Sequence, residues 1–257
     1  MIRVAGVSKR FGGVAAVDGA SLEIAQGSIT GLIGPNGAGK TTLFNLIAGV
    51  LAPDAGRIFL GGEEITGLRP HDLFHRGLLR TFQIAHEFPT LTHRENLMTV
   101  PARQTGESLL GAWLKPGAVR EEEQANREKA DEVIDFLGLG PVADERAGNL
   151  SGGQKKLLEL GRTMMVDARV VLLDEVGAGV NRTLLRRITE SILRLNLERG
   201  YTFCMIEHDM DFISRLCDPV IVMVEGRVLT EGPADRIMAD EAVIEAYLGR
   251  GPAAGPP

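Results

Sequence analysis

No stretch constrains this chain more than Gly34-Pro35-Asn36-Gly37-Ala38-Gly39-Lys40-Thr41. It fits the phosphate-binding pattern G-x-x-x-x-G-K-[ST], and its flanks suit that pattern. The apolar run Ile29 to Ile33 precedes it, and a helix-like stretch begins at Lys40. In a strand–loop–helix context, glycines let backbone N–H groups turn toward a phosphate chain at the positive end of a helix. Lys40 then reaches the β- and γ-phosphates, and the Thr41 hydroxyl can ligate Mg²⁺. The fold must therefore contain a strand feeding such a loop.

Further strand and helix signals alternate at both ends of the chain. Ile2 to Val7 and Ser21 to Ile24 read as strands with Gly12-Gly13 looping between them. Arg57 to Leu60 and Glu63 to Ile65 flank Gly61-Gly62, a hairpin signal. Val170 to Leu173, Thr202 to Ile206 and Val220 to Val224 are short apolar strands, with a helix over Thr183 to Arg199. Its Leu184, Ile188, Ile192 and Leu195 recur at helical spacing and mark a buried face. These signals predict an α/β fold with a mostly parallel sheet covered by helices.

The middle, from about His86 to Met165, has little β-branched patterning and much charge. Glu121 to Gly138 predicts an amphipathic helix with Ala130, Val133, Ile134 and Leu137 on its apolar side. Glu121-Glu122-Glu123 at its front reads as a solvated acidic face. Gln104 to Gly117 is weakly patterned, a long loop or short extra helix holding Trp113. His71 and His75 are four apart but lack the intervening glutamate of a zinc-protease pattern, so they read as surface residues.

Composition sets limits on function. Hydrophobic residues make up 44% and charged residues 24%, as in ordinary soluble globular proteins. A formal net charge of −6 leaves no bulk basic footprint, so nucleic acid is not an expected partner. The two cysteines, Cys204 and Cys217, lack metal or redox spacing, and Cys204 reads as a buried small hydrophobe. The N-terminus lacks a signal-peptide layout, and no apolar run approaches the roughly 18 residues needed to span a bilayer. A cytosolic chain fits, with any membrane supplied by other subunits.

A second glycine-rich segment, Leu150-Ser151-Gly152-Gly153-Gln154, follows more than a hundred residues later, without a lysine of its own. Val170-Val171-Leu172-Leu173-Asp174 is an apolar strand ending in a carboxylate, and Glu175 follows at once. Asp174 is placed to hold Mg²⁺ through a water, and Glu175 to polarise an attacking water. Taken together, these segments resemble the Walker A, signature and Walker B motifs of the ATP-binding cassette (ABC) family. The resemblance runs from Val4 to about Gly249.

That resemblance implies an ATPase using ATP and Mg²⁺. The fold it implies is a P-loop ABC ATPase core, mostly parallel with an antiparallel β subdomain, and an inserted α-helical subdomain. The core would span 1–85 and 166–250, the helical subdomain 86–165, with a disordered tail over 251–257. By position, Thr42 would donate to the α-phosphate, and Gln83 in Arg80-Thr81-Phe82-Gln83 would be the Q-loop glutamine that senses Mg²⁺ and the membrane partner. His208 in Ile206-Glu207-His208-Asp209 would be the switch histidine, and Phe11 the A-loop platform for adenine. Two departures stand out. Val176 follows Glu175 where most members have proline, and the D-loop ends in Asn181 where aspartate is usual.

Within the family, the chain most resembles the ATPase subunits of branched-chain amino-acid importers. Lys9 to Gly13, Arg80 to Gln83, the asparagine-ended D-loop, Ile206 to Met210 and the ending Val243 to Gly249 carry that likeness. It implies a peripheral subunit on the cytoplasmic face of the inner membrane. Its partners would be a second ATPase subunit (a copy or a homologue), two permease subunits and a substrate-binding protein. A lipid or lipopolysaccharide export ATPase and a non-transport ABC protein are the alternatives. The first shares the Tyr-Leu-Gly ending but has Pro-Gln-Glu where Ile84-Ala85-His86 stands here. The second carries coiled-coil insertions or paired cassettes, and neither is visible in this chain.

Overall fold

The computed structural model describes residues 1–81, 87–102, 104–166 and 168–248, in two compact units. The first comprises 1–80, 169–177 and 193 onward; the second comprises 81–168 and 178–192.

The first unit opens with long strands β1 (Ile2–Phe11) and β2 (Val14–Ile24), reaching further than their apolar cores predict. Central β3 (Ile29–Ile33) leads through the glycine-rich loop into α1 (Lys40–Ile47). Next come β4 (Ala55–Leu60) and β5 (Glu63–Glu64), paired antiparallel around Gly61-Gly62 as the hairpin signal predicts. Both turn glycines have positive φ, 59° and 89°, as a tight two-residue hairpin requires. Short α2 (Pro70–Phe74) and β6 (Leu78–Arg80) close this stretch. His71 and His75 lie at α2, exposed, ring against ring at 4.6 Å.

The second unit contributes α3 (His93–Met98), α4 (Leu109–Leu114), α5 (Pro116–Leu137) and α6 (Gly152–Met164). Ala130, Val133, Ile134 and Leu137 are all buried, the apolar stripe that their spacing predicts. At Gly161 an added Cβ would lie 3.0–3.1 Å from Leu137, Leu97 and Val133, so α3, α5 and α6 meet closely there. Two features depart from expectation. α5 begins at Pro116, which places the acidic run inside the helix. Glu122 is also not simply solvated: it accepts the Thr105 N–H at 2.7 Å and the Thr105 hydroxyl at 2.5 Å. The weakly patterned segment forms a 3-10 turn (Thr105–Glu107) and α4, whose Leu109, Leu110, Trp113 and Leu114 are exposed.

The chain continues with β7 (Val170–Asp174), α7 (Arg182–Arg199), β8 (Thr202–Ile206), α8 (Met210–Leu216), β9 (Val220–Val224), β10 (Arg227–Gly232), α9 (Ala234–Met238) and α10 (Glu241–Tyr247). A four-stranded antiparallel sheet has the order β2-β1-β4-β5. A six-stranded sheet has the order β10-β9-β3-β8-β7-β6, parallel throughout except at β10. β3, β7 and β8 are buried at every residue, which explains why they are mostly apolar. Phe44, Ile2, Ile24, Leu43 and Ile58 are fully buried in one hydrophobic core. Each such side chain stabilises the fold by roughly 1.5–3 kcal/mol.

Parallel strands put their carboxyl ends on one edge, and β6, β7, β8 and β3 are neighbours. The residues following β3, β7 and β8 therefore converge although they are far apart in sequence. Among the described residues no helix is long and apolar enough to cross a membrane.

Candidate functional site

The loop after β3 is held by contacts that only glycine permits. Gly34 has φ 145°, and a Cβ there would lie 2.0 Å from the Met223 carbonyl oxygen. Gly39 has φ 95°, and its Cβ would lie 2.2 Å from the Ala16 carbonyl oxygen. Ala38 accepts the Gly226 N–H at 3.0 Å, tying the loop to the β9–β10 turn. α1 then begins at Lys40, so the N–H groups of Lys40, Thr41 and Thr42 lie in its first turn, where no intrahelical partner exists. Pro35, Asn36 and Gly37 complete the cradle between strand and helix.

Lys40 is buried. Its ammonium donates to the carbonyl oxygens of Gly34 at 2.7 Å and Pro35 at 2.9 Å. Burial lowers its pKa, while the nearby Glu175 and Asp174 charges oppose that shift. Lys40 and the β7 carboxylates thus share one electrostatic neighbourhood.

At the end of β7, Asp174 is 4% exposed and bound by Arg80, whose Nη2 donates to Oδ2 at 2.7 Å. Arg80 also donates through Nη1 to Asn45 Oδ1 on α1, linking β6, α1 and β7. Glu175 adopts φ 50°, uncommon for a residue with a side chain, and its N–H donates to the Ile206 carbonyl at 3.0 Å. Its Oε1 lies 3.1 Å from His208 Nε2. Next to His208, buried Glu207 accepts the Gly177 N–H at 2.8 Å, anchoring the chain just past Glu175. Burial raises the Glu207 pKa. Val176, where proline is usual, is buried.

Phe11 ends β1 and is 50% exposed, so it is not a core aromatic; the Lys9 ammonium lies 6.0 Å from its ring centroid. In the second unit, Ser151 caps α6 in a reciprocal box with Gln154. The Ser151 N–H donates to Gln154 Oε1 at 2.8 Å, and the Gln154 N–H to Ser151 Oγ at 3.4 Å. Leu150 and Gly153 are buried, which leaves Ser151 and Gly152 as the exposed face of that segment. Asn181 accepts the Leu184 N–H at 3.0 Å and so caps α7. Its amide therefore does a structural task that aspartate could also do. A cavity of about 510 Å³ opens beside Ser151, Gln154, Asn181 and Arg187.

The first unit thus brings together Lys40, Asp174, Glu175 and His208, as the sequence motifs require. Gln83 lies outside the described residues, as do Gly249 and the tail over 251–257. Sequence reasoning assigned no role to Arg80 or Glu207. Arg80 was visible as a charge closing a short apolar run, but its partner lies 94 residues away. Only the pairing of β6 with β7 joins them.

The donor set suits Mg²⁺, which prefers oxygen ligands and keeps several waters. A threonine hydroxyl at the helix start and the buried Asp174 carboxylate are such donors. Among the described residues no group of His, Cys, Asp and Glu suggests a softer metal.

A parallel sheet whose central strand feeds a glycine loop with a buried lysine, with paired acids at the end of a strand two places along, defines a P-loop nucleotide-binding protein. The family model described as "ABC transporter" matches residues 17–178, and one described as "Branched-chain amino acid ATP-binding cassette transporter" matches 227–253. The chain belongs to the ABC transporter family and is an ABC-type ATPase of the branched-chain amino-acid branch.

It is 38% identical to the probable branched-chain amino acid transport ATP-binding protein LivG of Archaeoglobus fulgidus, over 97% of this chain and 95% of that protein. It is 37% identical to the high-affinity branched-chain amino acid transport ATP-binding protein BraF of Pseudomonas aeruginosa, over 97% and 98%. A crystal structure of the ADP conformation of an ATP-binding cassette from an ABC transporter superposes with a TM-score of 0.82 at 36% identity, covering 97% of this chain and 98% of that one.

Proposed function

We propose that this chain is the ATPase subunit that powers import of branched-chain amino acids. The observation that carries the reading is the junction of Lys40, Asp174, Glu175 and His208 at one sheet edge, in a chain aligned almost end to end with branched-chain transport ATPases. The export alternative rested on the Tyr-Leu-Gly ending alone. Deleting the gene should abolish energy-dependent uptake of leucine, isoleucine and valine, and Glu175→Gln should fail to restore it. Unchanged uptake of all three would remove the cargo assignment while leaving the ATPase intact.

Each residue has a task in transferring the γ-phosphoryl group to water. The α1 N-terminus and loop amides meet the phosphates, and Lys40 moves from the Gly34 and Pro35 carbonyls to the β/γ oxygens. Thr42 donates to the α-phosphate. Thr41, Asp174 and Gln83 would hold Mg²⁺, which would neutralise charge on the phosphate oxygens. Glu175 takes the proton from the attacking water, and His208, already within reach of it, contacts the γ-phosphate. Arg80 would share Asp174 with the ion, and its grip on Asn45 keeps the β7 end in register with α1.

Phe11 is the platform for adenine. Its exposure is what a stacking surface needs. Phe11→Ala should weaken ATP binding by about 1–2 kcal/mol, as other base–aromatic contacts do, with little change in melting temperature. A large loss of stability with unchanged affinity would assign Phe11 to packing instead.

The partners in this reading are a second ATPase subunit, two permeases and a substrate-binding protein. The chain would work peripherally at the cytoplasmic face of the inner membrane. The exposed face of Ser151 and Gly152 would meet the γ-phosphate held by the facing subunit, with Asn181 at the same seam.

A further inference from the structure

The segment that the branched-chain family model matches, 227–253, reaches back to the phosphate-binding loop through one side chain. Tyr247, the last residue of α10, accepts the Gly34 backbone N–H on its hydroxyl oxygen at 2.7 Å, across 213 residues of sequence. We propose that Tyr247 is a positioning residue for the ATP-binding loop, and that α10 thereby sets nucleotide affinity.

Gly34 is where the strand becomes the loop. Its φ of 145° and the 2.0 Å clearance to the Met223 carbonyl make it a pivot open only to glycine. Such a residue samples many conformations unless something holds it. Two contacts do so here. The Tyr247 hydroxyl takes its N–H, and the Lys40 ammonium takes its C=O at 2.7 Å.

When nucleotide arrives, Lys40 must leave that carbonyl for the phosphates. Tyr247 can keep the other half of the pivot in place throughout. The N–H it engages is already committed to the hydroxyl. The loop then binds a phosphate chain without first being ordered, and that ordering cost otherwise comes out of affinity.

The helix that carries the hydroxyl is itself anchored. Asp240 caps α10 by accepting the N–H groups of Ala242 at 2.9 Å and Val243 at 3.4 Å, and Val243 is buried. Tyr247 remains partly exposed, so its placement depends on α10 rather than on burial in the core. A ligand or partner that shifts α10 would change ATP affinity without touching the chemistry at Glu175.

This inference rests on the loop being the ATP site, and the test separates the two. Mg-ATP binding, KM, kcat and melting temperature are measured on the full chain for the native protein, Tyr247→Phe and Lys40→Ala. Tyr247→Phe removes only the hydroxyl. Losing one hydrogen bond at a pivot should raise the ATP Kd and KM about 3–10-fold, with kcat changed less than 2-fold, roughly the range of a single neutral bond. Melting should stay within about 4 °C of native.

Tyr247→Phe with native Kd and KM overturns the proposal, and so does tighter ATP binding, which would mean the contact restrains the loop. A drop in melting temperature alone, with affinity unchanged, makes Tyr247 structural and also overturns it. If Lys40→Ala binds Mg-ATP as native does, the loop reading itself fails, whatever Tyr247→Phe does.

Discussion

Glu175→Gln should keep ATP binding and slow hydrolysis by roughly 10²–10⁴-fold, the usual contribution of a general base. The reason is geometric. Among the described acids at this sheet edge, Asp174 is buried and committed to Arg80, and Glu207 is buried and holds the Gly177 N–H. Glu175 stands further out, with His208 against it. Replacing its carboxylate by an amide preserves shape and hydrogen bonding but removes the proton acceptor. The variant should therefore accumulate as an ATP-bound, paired species, visible as a nucleotide-dependent increase in molecular mass. Near-native turnover would show that another group activates the water.

The second large effect comes from pairing. Ser151 and Gly152 present an exposed glycine-rich helix start with no lysine, so they make a poor phosphate site alone. Facing the loop of another subunit, they would complete it, giving two composite sites in a closed two-fold dimer. Lys40→Ala removes the charge that meets the phosphates, and Ser151→Arg blocks the exposed face. Each alone should lower ATPase activity by about 10²-fold or more, the scale of losing a preorganised group that stabilises transition-state charge.

Mixing the two variants is the informative experiment. A mixed dimer carries both lesions in one site and neither in the other. Equal amounts should recover about a quarter of native activity, because half the dimers are mixed and half their sites are intact. A mixture no more active than its parts would rule out pairing between two copies. Native hydrolysis by Ser151→Arg at low protein concentration would remove the composite site altogether.

Much of this site was legible without coordinates because its motifs are local. The run from Gly34 to Thr41 encodes its own turn and helix start, and β7 announces itself as an apolar strand ending in acids. β3, β8 and β9 begin and end where the sequence places them, since a strand buried on both faces reads as a largely apolar run. The α5 stripe was equally clear, from helical spacing alone.

Other features had no local signal. The α5 start at Pro116 and the Glu122–Thr105 contact depend on a neighbouring turn, so an acidic run that looked solvated became a hydrogen-bond acceptor. Asn181 looked like a lost charge and is a helix cap. Arg80 on Asp174, Glu207 on Gly177 and Tyr247 on Gly34 each join residues from different elements, at separations of 94, 30 and 213 residues.

A sequence can specify the chemistry that fits within one turn of loop or helix, because neighbouring residues share one backbone geometry. Strand order decides which distant side chains restrain that chemistry. Here β6 beside β7 puts Arg80 on the Asp174 carboxylate, and the chain's return past β10 puts a tyrosine hydroxyl on the first glycine of the loop.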